Sequence, residues 1–155
     1  MYKEKKVIAI IAAAGRGTRL GSRLPKQFLK TDGETILEKS VKAFQENPRT
    51  DEIIIVTDAE FLELTETLCR PFSKVAAIVP GGRERQDSVR AGLECAGGFL
   101  SGGDEDAVVL IHDAARPFVS RRVIDAVTEA AVQNGAAIPA IPMKDTVRQV
   151  MLPKG

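Results

Sequence analysis

Residues 15–26 carry several cations and no acid, which makes this segment the part of the chain best suited to bind an anion. The whole chain has 22 Lys and Arg against 21 Asp and Glu, so the excess is local. Glycines free the backbone to turn and to direct successive N–H groups into one concavity that binds phosphate oxygens. The segment therefore predicts a phosphate site whose cations are Arg16, Arg19, Arg23 and Lys26.

The element that must position this segment is a preceding apolar run, residues 7–14. It is β-branched at its start and ends in small alanines, a pattern typical of a parallel strand covered on both faces. Small side chains at Ala12, Ala13 and Ala14 would let a flat ring lie against the main chain. Strand and cationic loop together indicate a nucleotide site.

Two other interpretations of this region compete with a nucleotide site. The loop fits neither G-x-x-x-x-G-K-[ST] nor G-x-G-x-x-G, and on spacing alone a surface turn with solvated arginines explains it about as well. Residues 1–15 also have the basic start and apolar stretch of a secretory signal. The short stretch and the basic loop directly after it disfavour cleavage there.

Composition limits the class of protein. The 155 residues are 44% hydrophobic and 28% charged with a net charge of +1, which fits one globular domain and gives no support to broad attraction for nucleic acid or membranes. Cys69 and Cys95 form no C-x-x-C, and His112 alone cannot build a histidine zinc site. A reduced cytoplasmic location is expected, and no apolar run is long enough to cross a bilayer.

Strand-like and helix-like segments alternate along the chain. Alternation of this kind predicts an α/β fold, a doubly wound, mostly parallel sheet with helices on both faces. Asp87 and Ser120 are predicted to cap the third and fourth helices, and Gly135 to follow the fourth. After the first strand, the predicted strands are residues 52–57, 75–79 and 107–112, and the predicted helices are residues 36–44, 61–69, 88–96 and 121–134.

Polar clusters follow the predicted strands at residues 15–26, 81–88 and 112–117, and a fourth lies at 144–146. Ligands in open α/β sheets bind outside the carboxyl ends of the strands. We therefore expect these clusters to converge on one site.

The clusters resemble the 2-C-methyl-D-erythritol 4-phosphate cytidylyltransferases of the non-mevalonate isoprenoid pathway. The resemblance lies in A-A-G-x-G-x-R, P-K-Q, G-G-x-x-R-x-D-S-V, H-D-A-A-R-P and P-x-x-D-T, in order across nearly the whole chain. It implies a Rossmann-like nucleotidyltransferase fold of the nucleotide-diphospho-sugar transferase type. It also implies CTP as a substrate, a divalent metal, normally Mg²⁺, and a homodimer.

The resemblance also implies roles for individual residues. Arg19 and Lys26 match the family's cationic pair that stabilises the transition state. Contacts to the nucleotide are implied for Ala13, Ala14, Gly15, Gly17, Thr18, Gly82, Ser88 and Asp113. Contacts to the methylerythritol phosphate are implied for Arg116, Asp145 and Thr146.

Several of these residues have a purely structural alternative. Ser88 could contact cytosine or only cap a helix. Asp113 could accept from ribose hydroxyls, approach the metal, cap a turn or pair with Arg116. His112 fits a packed strand residue better than a base, because the attacking phosphate is already ionised. Arg83 departs from the acidic residue of some members, which leaves a main-chain contact open and any role of its side chain in doubt.

We expect a nucleotide-binding domain over residues 1–141 and the start of a dimerisation arm over residues 142–155. Family members continue well beyond this point, so a truncated form with the nucleotide half largely present is expected. A ribitol 5-phosphate cytidylyltransferase is the nearest rival, since it shares G-x-G-T-R, P-K-Q-F and H-D-A-x-R-P-F. A nucleotide-binding module without catalysis is the other alternative.

Overall fold

The computed structural model describes residues 2–15, 24–100, 107–142 and 144. Its strands are β1 (Lys6–Ala13), β2 (Lys30–Thr31), β3 (Glu34–Thr35), β4 (Glu52–Thr57), β5 (Val75–Pro80) and β6 (Ala107–Asp113). Four of them form a parallel sheet in the order β5-β4-β1-β6, and β2 and β3 form a small antiparallel hairpin. The predicted α/β fold with a parallel sheet is confirmed.

The helices are α1 (Ile36–Gln45), α2 (Leu62–Cys69), α3 (Arg85–Gly97) and α4 (Arg121–Asn134). Each lies within a few residues of its predicted bounds. Helices α1, α2 and α4 contribute to the core on one face of the sheet, whereas α3 packs on the other face against β1, β4 and β5. Within the described ranges, no helix has the length and apolar character needed to cross a membrane.

Strand β1 lies between β4 and β6 and is the centre of the core. Its residues Val7, Ile8, Ala9, Ile10 and Ile11 are fully buried. Alternate side chains point to opposite faces, so a strand covered on both faces needs a continuous apolar run. The pattern of residues 7–14 predicted this environment correctly.

Parallel pairing places the carboxyl ends of the strands at one edge of the sheet. Ala13 of β1 lies opposite Thr57 of β4, and Thr57 lies opposite Pro80 of β5. The Gly81 N–H then donates to the Thr57 carbonyl at 2.7 Å, which continues the pairing past the end of β5. The segments that follow β1, β5 and β6 therefore begin at the same edge of the sheet.

Glycine at position 92 lets α3 pack closely on the sheet. A Cβ atom there would lie 2.6 Å from Ile10 Cγ2 and 3.1 Å from Val56 Cγ2, closer than carbon atoms can approach without displacement. Glycine at this position therefore lets the middle of α3 approach β1 and β4 closely.

One local prediction was wrong. Asp87 does not cap α3: the N-cap is Glu84, and the Asp87 carboxylate, one turn later, accepts from the Glu84 N–H at 3.1 Å. In α4 the apolar Val123 is 38% exposed, while the polar Thr128 is buried. Val123 lines an open groove beside β6, which has no partner strand on its outer side among the described residues.

Removing the N-cap of α1 is expected to lower stability. The Thr35 hydroxyl accepts from the Glu38 N–H at 3.1 Å, and Glu38 Oε2 accepts from the Thr35 N–H at 2.7 Å. Thr35→Ala should cost about 1 kcal/mol of unfolding free energy, which lowers Tm by about 2–4 °C. Thermal unfolding measures the change, and Thr31→Ala, at an exposed strand position, should leave Tm unaltered.

Candidate nucleotide site

The ends of β1 and β5 meet the first turns of α3 in a closely packed group of small residues. A Cβ atom on Gly81 would lie 2.6 Å from Ser88 Oγ and 2.7 Å from Ala14 Cβ. Both neighbours belong to the residues predicted to contact the nucleotide. The fold thus brings Ala14, Gly81 and Ser88 together, with main chain accessible at Gly82, which is exposed.

Ser88 does not cap α3, because the helix begins at Arg85 after the N-cap Glu84. Its side chain is buried, and its hydroxyl donates to the Glu84 carbonyl at 3.3 Å. The capping alternative for Ser88 is therefore wrong. A hydroxyl hydrogen that rotates freely can serve this carbonyl or a ligand beside Gly81.

Lys26 is exposed, whereas the residues directly before and after it are buried. It begins a short 3-10 turn, Lys26–Phe28, that follows the buried Pro25. The ring of Phe28 is buried and lies 5.1 Å from that of Phe61, measured between centroids. The packed residues on either side fix the backbone of Lys26, which reduces the entropy lost when the ammonium binds an anion.

Gln27 is a site residue that the sequence analysis missed. Its side chain is 3% exposed, and its amide nitrogen donates to the Ala13 carbonyl at 2.5 Å and to the Gly15 carbonyl at 3.0 Å. Two hydrogen bonds thus join the side chain of Gln27 to the end of β1, where the cationic loop begins. The only sequence signal was its place in the P-K-Q motif.

Asp113 lies between two arginines at the end of β6. Arg85 Nη2 donates to Asp113 Oδ1 and Arg116 Nε donates to Asp113 Oδ2, each at 2.9 Å. The pairing with Arg116 was one of the predicted alternatives. The pairing with Arg85 was missed, because it joins α3 to β6 across residues far apart in sequence.

The arginine pair sets the charge of this group. Burial alone would raise the pKa of Asp113, but the hydrogen bonds and charges of Arg85 and Arg116 outweigh it and lower the pKa below the ordinary 3.8. The carboxylate is therefore ionised at neutral pH. Two cations against one anion leave a local positive charge, and the arginine side chains are 66% and 75% exposed, where they can meet a phosphate.

The arrangement around Asp113 does not suit a direct Mg²⁺ ligand. Each carboxylate oxygen already accepts from a guanidinium, and a divalent cation would be repelled by both arginines. The described ranges also contain no group of three or more acidic, histidine or cysteine side chains that could hold a metal ion. The geometry supports the nucleotide or pairing role of Asp113 over the metal role.

His112 is a packed residue that stabilises the turn after β6. Its ring lies 5.0 Å from that of Phe44, between centroids, and its Nε2 lies 3.0 Å from the Arg116 carbonyl. Burial lowers the pKa of His112 below 6.5, although the Arg116 carbonyl and Asp113 oppose this. Because a carbonyl only accepts, the neutral ring carries its proton on Nε2.

The Asp113 cluster should make stability depend on acid pH. A lowered folded-state pKa means that the pairing stabilises the fold above pH 3.8, and that this stabilisation is lost as pH falls from there. In Asp113→Asn this acid-dependent part should be absent. Urea unfolding between about pH 6 and about pH 3 tests this, and equal slopes in the two proteins would contradict it.

Seven residues predicted for the site lie outside the described residues: Arg16, Gly17, Thr18, Arg19, Arg23, Asp145 and Thr146. Their predicted roles remain predictions. Lys144, beside the last two, is described and exposed.

The sequence is similar to that of known proteins over the same segments that form the candidate site. The sequence pattern described as "IspD: 2-C-methyl-D-erythritol 4-phosphate cytidylyltransferase" matches residues 7–153. A protein of that name from Syntrophus aciditrophicus is 40% identical over 148 residues, which cover 94% of this chain and 61% of the relative. Another from Symbiobacterium thermophilum is 42% identical over 144 residues, 93% of this chain and 58% of the relative.

Solved structures agree with the sequence comparison. The 4-diphosphocytidyl-2C-methyl-D-erythritol synthase of Anaerococcus prevotii superposes with a TM-score of 0.77 at 27% identity and covers 95% of this chain. The 2-C-methyl-D-erythritol 4-phosphate cytidylyltransferase of Francisella tularensis gives 0.67 at 31% identity, again over 95% of this chain. This chain covers 60% and 62% of those two proteins.

The match extends over nearly the whole of this chain, while the chain spans about 60% of the length of the relatives it matches. The chain belongs to the 2-C-methyl-D-erythritol 4-phosphate cytidylyltransferase family.

Proposed function

We propose that this protein transfers CMP from CTP to 2-C-methyl-D-erythritol 4-phosphate and releases pyrophosphate, as a nucleotidyltransferase of isoprenoid precursor synthesis. The observation that carries the proposal is the meeting of three groups at one edge of the sheet in a chain of this family. They are Lys26 between its buried neighbours, the small-residue group around Gly81, and the two arginines that donate to Asp113.

The reaction is a substitution at the α-phosphorus of CTP. A phosphate oxygen of the acceptor forms the new P–O bond, and the bond from the α-phosphorus to the bridging oxygen breaks, so that pyrophosphate leaves with the electron pair. The nucleophile is already anionic, hence no general base is required, consistent with a neutral, packed His112. Catalysis then depends on positioning and on cations that offset the developing charge.

Lys26 is assigned this electrostatic role together with Arg19. Lys26 is exposed at the start of a 3-10 turn whose neighbouring residues are buried, so its backbone needs no large rearrangement for the ammonium to meet a phosphate. Arg19 is selected by the family motif. The cytosine would lie at Ala13, Ala14, Gly82 and Ser88, where main-chain groups read its edge without loss of side-chain entropy.

Asp113 is proposed to accept from the ribose hydroxyls, with Arg85 and Arg116 holding its carboxylate. Any Mg²⁺ would arrive on the triphosphate, since Mg²⁺ keeps phosphate and water ligands in such sites. The acceptor would be bound by Arg116, Asp145 and Thr146. A homodimer through an arm beginning near Pro142, and a cytoplasmic location, complete the proposal.

Thermal unfolding and turnover test the proposed function. CTP with Mg²⁺ should raise Tm, because a ligand that binds only the folded state stabilises it. Pyrophosphate release should be faster with 2-C-methyl-D-erythritol 4-phosphate than with ribitol 5-phosphate. Faster release with ribitol 5-phosphate would assign the rival activity, and a Tm shift without any release would leave a nucleotide-binding module.

A further inference from the structure

Gln27 holds together the two parts of the candidate site that provide main-chain contacts and positive charge. Its amide nitrogen donates to two carbonyls, Ala13 at 2.5 Å and Gly15 at 3.0 Å. A primary amide has two N–H donors, so both are used on this one stretch of backbone. The contact is buried and lies beside Lys26 in sequence.

These hydrogen bonds determine where the neighbouring N–H group points. A trans peptide is planar, and its N–H points opposite to its C=O. Because the Ala13 carbonyl is directed at Gln27, the Ala14 N–H is directed away from Gln27. Ala14 Cβ lies beside the space that a Gly81 side chain would fill, so this N–H belongs to the small-residue group at the strand ends.

Only a long side chain with two donors on one atom satisfies both carbonyls at this position. A carboxylate of the same length would place an oxygen against two oxygens, and an apolar chain would leave the carbonyls without these donors. The backbone of Gln27 is itself fixed, since Pro25 precedes its 3-10 turn and the buried Phe28 ends it. The amide is thus a rigid link between the lysine turn and the end of β1.

We propose that Gln27 is a positioning residue for the nucleotide, which sets the direction of the Ala14 N–H and the separation between the nucleotide main chain and Lys26. The inference rests on the proposed function. Gln27 itself contacts neither substrate in this arrangement and acts through Ala13, Gly15 and Lys26.

Gln27→Met removes both donors and keeps the length of the side chain. Displacement of a catalytic group by about 1 Å costs about 10²-fold in rate, and we expect kcat/KM for CTP to fall by that order. The Kd for CTP, from isothermal titration, should rise about tenfold or more.

Asn47→Met is the matched control. Asn47 is also a buried amide, 1% exposed, and donates to Asp125 Oδ1 at 2.9 Å. It precedes β4 and therefore lies at the opposite end of the sheet from the candidate site. Asn47→Met should lower Tm, as Gln27→Met should, but it should leave the Kd for CTP of the folded protein unchanged.

Gln27→Glu gives a second, pH-dependent test that does not require Gln27→Met to fold. The ionised carboxylate opposes the two carbonyls, whereas the protonated carboxyl can donate to one of them. A buried carboxyl protonates at raised pH, so the Kd of this variant relative to wild type should improve between about pH 8 and about pH 6. No comparable improvement is expected for Asn47→Asp.

The outcomes separate this inference from the proposed function. If wild type binds CTP and Gln27→Met loses no more affinity than Asn47→Met, or Gln27→Glu shows no improvement at low pH, the positioning role is wrong while the proposed function stands. A wild-type protein that binds no CTP overturns the proposed function, and the role of Gln27 falls with it.

Discussion

Lys26→Ala is expected to reduce kcat/KM for CMP transfer by about 10²- to 10³-fold, the effect of removing one preorganised donor from a developing negative charge. The ammonium is exposed, whereas Pro25, Gln27 and Phe28 around it are buried, so the backbone that carries the charge is fixed before substrate binds. Continuous measurement of pyrophosphate release gives the rate, and the CTP-dependent rise in Tm should be lost with it.

Lys30→Ala is the matched control for Lys26→Ala. Lys30 is an exposed lysine a few residues further along, in β2, and has no role in the candidate site. Both variants should unfold within about 0.5 kcal/mol of wild type, because neither removes a buried group. Equal activity of the two variants would show that Lys26 is a solvated lysine after a turn.

The parallel sheet could be predicted because its strands are covered on both faces. Apolar runs of strand length, such as residues 7–14 and 52–57, are typical of strands buried on both faces. Glycine or proline lies near the end of most of the predicted helices between them, which marks where each helix stops. The convergence of residues 81–88 with 112–117 followed from the sheet rule alone. Arg85 and Asp113 are now seen in contact, which confirms that convergence.

Contacts between distant residues could not be predicted in the same way. Arg85 was one of several cations near the start of a helix, and nothing in its spacing indicated β6. Gln27 resembled an ordinary polar residue after a lysine, since burial of an amide depends on carbonyls that the fold brings to it. The N-cap of α3 is Glu84 and not Asp87, because a carboxylate one turn into a helix can also accept from an N–H at the helix start.

The neighbours of Asp113 and Ser88 narrow the alternatives that the sequence leaves open. For Asp113, the arginine on each oxygen favours an ionised, oriented carboxylate over a metal ligand. For Ser88, the helix start at Arg85 removes the capping alternative and leaves a buried hydroxyl beside Gly81. Both residues could be selected from the sequence, whereas their hydrogen-bond partners are known only from the fold.

Gly81→Ala is expected to weaken CTP binding by about 10- to 100-fold, because the new methyl group occupies the space beside the proposed base site. The added Cβ would lie 2.6 Å from Ser88 Oγ, 2.7 Å from Ala14 Cβ and 3.2 Å from Val56 Cγ1. Relief of these contacts must move the end of β1 or the first turns of α3, and such overpacking costs about 1–3 kcal/mol of stability. Isothermal titration with CTP and urea unfolding measure the two effects separately.

Gly92→Ala provides the comparison that distinguishes a site effect from a packing effect. Its Cβ would lie 2.6 Å from Ile10 Cγ2, so it overpacks the same helix against the same sheet, but in the apolar core. It should lose a similar amount of stability, about 1–3 kcal/mol, and retain the CTP affinity of wild type in its folded fraction. If the two variants lose affinity in proportion to stability, the small-residue group around Gly81 is part of the core and not a base site.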